Sequence, residues 1–183
     1  LSIPRDTRVY IEGVGYTKIN HAHLLGEMKG KTTYAGTKKA IETVSDLCGC
    51  DINYYLKINF QGFENFVDTL GGIEVDLPKP VKLTYAGKTL PEGKQTLNGS
   101  TALELVRERE SLPDGDFGRQ RNQALVLKSI VRKAVEPENL ERLPALVKQL
   151  KREVIDMNLS ETDLISLAWL IKEVSADNVS YEQ

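Results

Sequence analysis

Val106-Arg107-Glu108-Arg109-Glu110-Ser111-Leu112-Pro113-Asp114-Gly115-Asp116-Phe117-Gly118-Arg119-Gln120-Arg121-Asn122-Gln123 places four arginines within fifteen residues, in two pairs separated by a Pro-Asp-Gly turn. Arg107 and Arg109 are two apart, so an extended segment points both to one face and sends Glu108 and Glu110 to the other. After the turn, an apolar pattern at helical spacing opens near Ala124. Arg119 and Gln123 are four apart and share a face of the first helical turns, whereas Arg121 is rotated away from it. A helix start also offers free backbone N–H groups and a positive dipole end. The extended pair, the helix start and the Arg119/Gln123 face can therefore serve one anion, and the planar guanidinium fork suits phosphate. A second reading stands beside this one. Glu104, Glu108, Glu110, Asp114 and Asp116 lie in or next to the stretch, and mixed charge at this density also makes a solvated, salt-bridged loop. The two readings differ in whether the arginines separate from the carboxylates in space.

Outward from this stretch, the apolar spacing predicts elements in both directions. Ala40, Ile41, Val44, Leu47 and Cys48 mark a helix capped by Gly49. Ile52 to Phe60 alternates as a strand. Phe63 to Leu70 is a short helix stopped by Gly71-Gly72, and Ile73 to Leu77 a strand ended by Pro78 and Pro80. Val81 to Leu97 is a hairpin-like excursion. Asn98 caps a short helix to about Leu105. Leu127, Ile130, Val131 and Ala134 carry the long helix to Val135, before Pro137. Leu143 to Val154 is another helix, and Ser160 with Asp163 resembles a capping box opening a last helix through Val174. Val179 to Tyr181 reads as a final strand. Leu1 to Ile3 reads as the end of a strand whose neighbours precede it, so the chain is expected to be part of something longer. The expected architecture is α/β: a single domain over residues 1–183 with a mixed β-sheet flanked by helices on both sides, lacking its N-terminal strands.

The 183 residues suffice for a sizeable core, and 40% hydrophobic with 27% charged residues reads as globular. The net charge of −2 and the lack of a basic helix face argue against nucleic acid as a partner. Cys48 and Cys50, one glycine apart, read as a poor disulfide and as core or near-core thiols. His21 and His23 have no acidic or thiol ligand at metal spacing nearby. No apolar run approaches a membrane span, and no signal peptide, nucleophile elbow, Walker loop or dinucleotide fingerprint is present.

Three blocks taken together resemble one family. Ser2-Ile3-Pro4-Arg5-Asp6-Thr7, Lys18-Ile19-Asn20, and Val106-Arg107-Glu108-Arg109 with Gly115-Asp116-Phe117-Gly118-Arg119 and Gln123 look like the LytR-CpsA-Psr domain. Phe60-Gln61-Gly62-Phe63, Leu70 to Val75, and Leu90-Pro91 to Leu97-Asn98-Gly99 follow the same pattern in order. The similarity covers about residues 1–135, with 136–183 as C-terminal helices of the same domain. The resemblance implies a phosphotransferase at the extracytoplasmic face of the cell membrane, held by an N-terminal membrane anchor. It would move an anionic glycopolymer, of wall teichoic acid or capsule type, from a polyprenyl-pyrophosphate carrier to a peptidoglycan acceptor with the help of Mg2+. Carried over by motif, Arg107, Arg109, Arg119 and Gln123 would bind phosphate, with Arg5 and Lys18 lining the site and Arg121 a weaker candidate. Asp6 would hold the magnesium ion. Phe63, Phe66, Leu127 and Ile130 would line the lipid pocket, and Asp116, from its place beside Arg119, is the candidate base. The family's second magnesium carboxylate belongs to strands before Ser2, and Asn122 stands where the family often has Arg. The alternative function is a non-catalytic polyprenyl-phosphate-binding regulator, since the family was earlier described as transcriptional attenuators.

Overall fold

The structure, a computed structural model, describes residues 2–174. The strand expected over 179–181 lies outside them. Two compact units emerge, Ile3–Asn53 and the chain from Tyr54 onward.

In the first unit, β1 (Arg8–Ile11) and β2 (Gly15–Lys18) form an antiparallel hairpin, followed by α1 (His21–Gly30) and α2 (Thr33–Cys48). Val9, Ile11 and Ala22 are buried, with Ile19 and Leu25 packed on them. α1 escapes the sequence reading because few apolar residues mark its face. What brings the two helices together is backbone contact. A Cβ on Gly26 would stand 2.5 Å from the Ala35 carbonyl oxygen, and one on Gly36 would stand 2.7 Å from the His23 ring. Thr32 caps α2 by accepting from the Ala35 N–H at 3.1 Å. Residues 2–4 are not in a strand.

The second unit is built around β4 (Ile73–Leu77), whose residues alternate between buried and exposed. β4 pairs antiparallel with β7 (Gly93–Leu97), and the β5–β6 hairpin (Val81–Leu83, Lys88–Leu90) is inserted between them. α3 (Phe60–Thr69), α4 (Gly99–Arg107) and α5 (Asp116–Ala134) supply Val67, Ala102, Leu105 and Val126 to one core with Ile73, Val75 and Leu77. Asn59 and Asn98 cap α3 and α4 through their side-chain oxygens. Beyond Glu136 come α6 (Pro137–Glu141), α7 (Leu143–Glu153), β8 (Val154–Met157) and α8 (Glu161–Val174). Ser160 and Asp163 form the expected capping box.

The α/β class is as expected, but the strands pair as four small antiparallel ribbons. No continuous mixed sheet forms among the described residues. Antiparallel partners need only a turn between them. Accordingly β1–β2 and β5–β6 close locally, and β4–β7 closes around the inserted hairpin. The strand expected over 52–60 shortens to β3 (Leu56–Ile58), which pairs with β8 across about a hundred residues of chain. The expectation of free thiols is also corrected. Cys48 and Cys50 form a disulfide, with Cα atoms 5.3 Å apart. Gly49 caps α2 in the left-handed region at φ 61° and turns the chain enough for the two sulfurs to meet.

Candidate functional site

The arginine stretch divides differently from its sequence reading. Arg107 lies in the last turn of α4 rather than in an extended segment, and α5 starts at Asp116, eight residues before its apolar pattern becomes visible. Only residues 108–115 form the connection. Its centre is Glu108, which is 1% exposed. The carboxylate accepts from the Thr84 N–H at 2.6 Å, the Thr84 hydroxyl at 3.1 Å and the Ser111 N–H at 2.9 Å. Burial works to raise the Glu108 pKa, but the bonds from Ser111 and Thr84 outweigh it and hold the carboxyl below its ordinary value. Glu108 therefore faces inward as a pin, and its neighbours Arg107 and Arg109 are both exposed.

Arg107 lies over the Phe60 ring at 4.7 Å, a cation–π contact, and pairs with Glu104 at 3.7 Å. Arg109 forms no ion pair with any described residue, which leaves its five N–H donors available. Of the ion-paired arginines in this stretch, Arg119 is the least exposed, at 17%, and its partner is Asp116 at 2.6 Å. Its Nε is buried without a hydrogen-bond partner. An unpaired buried donor costs on the order of 1–3 kcal/mol. Arg121 turns the other way, into an ion pair with Asp114. That pair sits on the wall of a cavity of about 190 Å³ that also holds Lys79, Leu112 and Asn122.

Gln123 ties the two helices together, its Nε2 donating to the Val106 carbonyl at 3.1 Å. This bond sets the Arg119/Gln123 face of α5 against the end of α4 that carries Arg107. Down the same α5 face, four and seven residues beyond Gln123, come Leu127 and Ile130. Leu127 is 62% exposed, whereas Ile130 packs on the core, as does Phe63 of α3. Phe66 is half-buried. The face thus runs from a cationic head to an apolar tail.

In the first unit, Asp6 accepts from Lys18 Nζ at 3.0 Å and lies 3.5 Å from Arg5 Nε. The Lys18 hydrogen bond, with the charges of Lys18 and Arg5, holds its carboxyl below the ordinary range. Asn20 Nδ2 donates to Asp6 at 3.5 Å, and Asn20 Oδ1 is buried without a hydrogen-bond partner. No group of three or more His, Cys, Asp or Glu side chains stands at metal distance among the described residues. The donor set is one ionised carboxylate beside one unsatisfied amide oxygen. Asp6 and Asn20 are the side chains here that could hold a hard cation such as magnesium, which prefers oxygen ligands and keeps several waters.

The sequence marks the arginines as a group but gives no sign of the contacts of Phe60, Tyr85 and Asn20 or of the inward-facing Glu108. Phe60 and Asn20 fall within quoted motifs, yet nothing local marks the first as a stacking platform or the second as an orphaned oxygen. The Tyr85 hydroxyl donates to Glu110 at 3.0 Å, a contact across 25 positions that no spacing rule reaches.

The scaffold has counterparts among known proteins. The chain is 32% identical over 183 residues to the polyisoprenyl-teichoic acid–peptidoglycan teichoic acid transferase TagU of Bacillus licheniformis, covering all of this chain and 56% of that one. It is 31% identical to the cell wall biosynthesis protein LcpA of Corynebacterium glutamicum, over 99% of this chain and 38% of the relative. The chain thus spans about half the length of the curated relatives it matches. Among solved structures, TagV of B. subtilis superposes with a TM-score of 0.81 at 27% identity, over 97% of this chain and 66% of that one. TagT bound to LI-WTA superposes at 0.73 with 32% identity, over 93% and 61%. The LytR_cpsA_psr profile matches residues 1–183 from end to end, and the chain belongs to that family.

Proposed function

We propose that the protein carrying this chain is a phosphotransferase that moves an anionic glycopolymer from a polyprenyl-pyrophosphate carrier to peptidoglycan. The observation that carries this reading is the α5 face: half-buried Arg119 with an unpaired Nε, then Gln123, then Leu127 and Ile130. An amphiphile with a pyrophosphate head and a prenyl tail matches that order. Arg107, held over Phe60 at the adjoining end of α4, and the unpaired Arg109 add charge for the same head. Phosphoryl transfer needs positioning and neutralisation more than covalent help from the protein, and arginines supply both. Relatives named as teichoic acid transferases support the same chemistry.

Asp6 and Asn20 would hold Mg2+, with Arg5 and Lys18 keeping Asp6 ionised. When bound, the ion would spread negative charge from phosphate oxygens. Phe63 and Phe66 are the proposed extension of the apolar tail. No described helix is long and apolar enough to cross a membrane. Attachment to the outer face of the cell membrane by a further segment is part of the proposal.

The test is release of farnesyl phosphate from a farnesyl-pyrophosphate-linked disaccharide, with peptidoglycan oligosaccharide as acceptor. Acceptor-dependent release is expected. Tight binding of the donor with no release would favour the non-catalytic lipid receptor instead, and absence of binding would refute both.

A further inference from the structure

The proposed transfer needs a group to take the acceptor's proton, and the structure narrows the choice. All but one of the carboxylates of the arginine stretch are paired with an arginine or buried. Glu104 pairs with Arg107, Asp114 with Arg121, and Asp116 with Arg119. Glu108 is buried under three hydrogen bonds. Glu110 differs from all of these. It is exposed, it pairs with no cation among the described residues, and its one hydrogen bond comes from a neutral group, the Tyr85 hydroxyl at 3.0 Å to Oε1. Oε2 remains open.

The surroundings of Glu110 are built rather than incidental. Residues 108–111 are laced to the end of β5 by three ties: Glu108 to Thr84, Glu110 to Tyr85, and the Ser111 hydroxyl to the Lys82 carbonyl at 2.6 Å. These ties hold Tyr85 near Arg107 and Arg109, the residues on either side of Glu108. Both arginines act electrostatically on the Tyr85 hydroxyl, although the Glu110 hydrogen bond and charge prevail and raise its pKa. Glu110 thus stands next to the arginines without being neutralised by either.

Resting on the phosphotransferase reading, we infer that Glu110 is the general base that accepts the proton of the acceptor hydroxyl, with Tyr85 as its positioning residue. The acceptor oxygen forms a new P–O bond to the phosphorus that carries the glycopolymer. The bond from that phosphorus to the bridging oxygen breaks, and polyprenyl phosphate leaves with the electron pair. The hydroxyl proton goes to Glu110 Oε2, so no oxidant or further reactant is required. Tyr85 contributes by donating to Oε1, which fixes the carboxylate's orientation and leaves the second oxygen toward the acceptor.

The experiment compares the whole protein with its Glu110→Gln and Tyr85→Phe variants. The probes are the farnesyl-pyrophosphate disaccharide as donor and either an N-acetylglucosamine oligosaccharide or trifluoroethanol as acceptor. Glu110→Gln is expected to bind donor within about twofold of wild type while transfer to the sugar falls by about 10²–10⁴, the usual reach of general-base catalysis. The loss should shrink with trifluoroethanol, a more acidic alcohol that needs less help in losing its proton. A structural role would not produce that rescue. Tyr85→Phe should lower kcat about tenfold with donor affinity unchanged. Transfer by Glu110→Gln at the wild-type rate overturns the assignment and leaves the phosphotransferase reading standing. A wild-type protein that binds donor but never releases farnesyl phosphate overturns both.

Discussion

Replacing Glu108 by Gln tests whether the arginine stretch is held from below. The carboxylate presents two oxygens to three donors, at 2.6 Å, 2.9 Å and 3.1 Å, inside a site that is 1% exposed. Gln keeps the shape but has only one oxygen, so its amide NH2 must face either the Thr84 or the Ser111 N–H. One buried donor is then left unsatisfied, which costs about 1–3 kcal/mol, and the surviving bonds lose their charge assistance at about 1 kcal/mol more. The expected loss is about 2–4 kcal/mol, or roughly 5–15 °C in Tm for a chain of this size. Urea and thermal denaturation followed by circular dichroism measure it, with exposed Glu110→Gln as the control expected within about 0.5 kcal/mol of wild type. The acid limb gives a second readout. The folded Glu108 pKa lies below its ordinary value of 4.5, so the stabilisation is complete above pH 4.5 and is lost as pH falls through the lower folded value. The glutamine side chain does not titrate, so the gap between wild type and variant should narrow below pH 4.5 and stay constant above about pH 6. A Glu108→Gln protein as stable as the Glu110→Gln control, or a gap independent of pH in acid, would refute the view of Glu108 as a buried pin.

Three further outcomes follow from the same structure. Arg119→Ala should weaken binding of a farnesyl-pyrophosphate disaccharide about ten- to a hundredfold, whereas Arg121→Ala, which removes a side chain facing Asp114, should change it by less than about threefold; calorimetric titration of both variants decides. Gly26→Ala should destabilise the first unit by about 1–3 kcal/mol, although Ala normally outranks Gly in a helix, because its Cβ meets the Ala35 carbonyl at 2.5 Å. Loss of α1 protection in hydrogen exchange would register the effect. Reducing the Cys48–Cys50 disulfide should cost no more than about 1.5 kcal/mol, since a bridge between residues two apart constrains the unfolded chain very little; urea midpoints with and without dithiothreitol give the value.

Features that depend on near neighbours could be read from the residues alone. Asn98 as a cap, the Ser160–Asp163 box, and the alternation of Ile73 to Leu77 were all legible, because capping and strand periodicity act within a few residues. The shared face of Arg119 and Gln123 was legible for the same reason, as it needs only 3.6 residues per turn. α1 was hidden, because its packing rests on Gly26 and Gly36, whose lack of a side chain leaves no apolar signal. The extended reading of Arg107 to Arg109 fails at two residues, since Arg107 is still helical and Glu108 is buried. Alternation puts Glu108 on one face with Glu110, but Thr84 and Ser111 offer three donors that draw Glu108 into the protein while Glu110 stays exposed. Likewise Tyr85 reaches Glu110, and β3 finds β8, across stretches of chain that carry no mutual pattern. Glu104 and Asp116 meet arginines three residues further on, which helical spacing alone allows, whereas the burial of Glu108 against Thr84 and the contact of Glu110 with Tyr85 depend on the fold. A buried charge must find its donors wherever the fold brings them, and distance along the chain has no bearing on that.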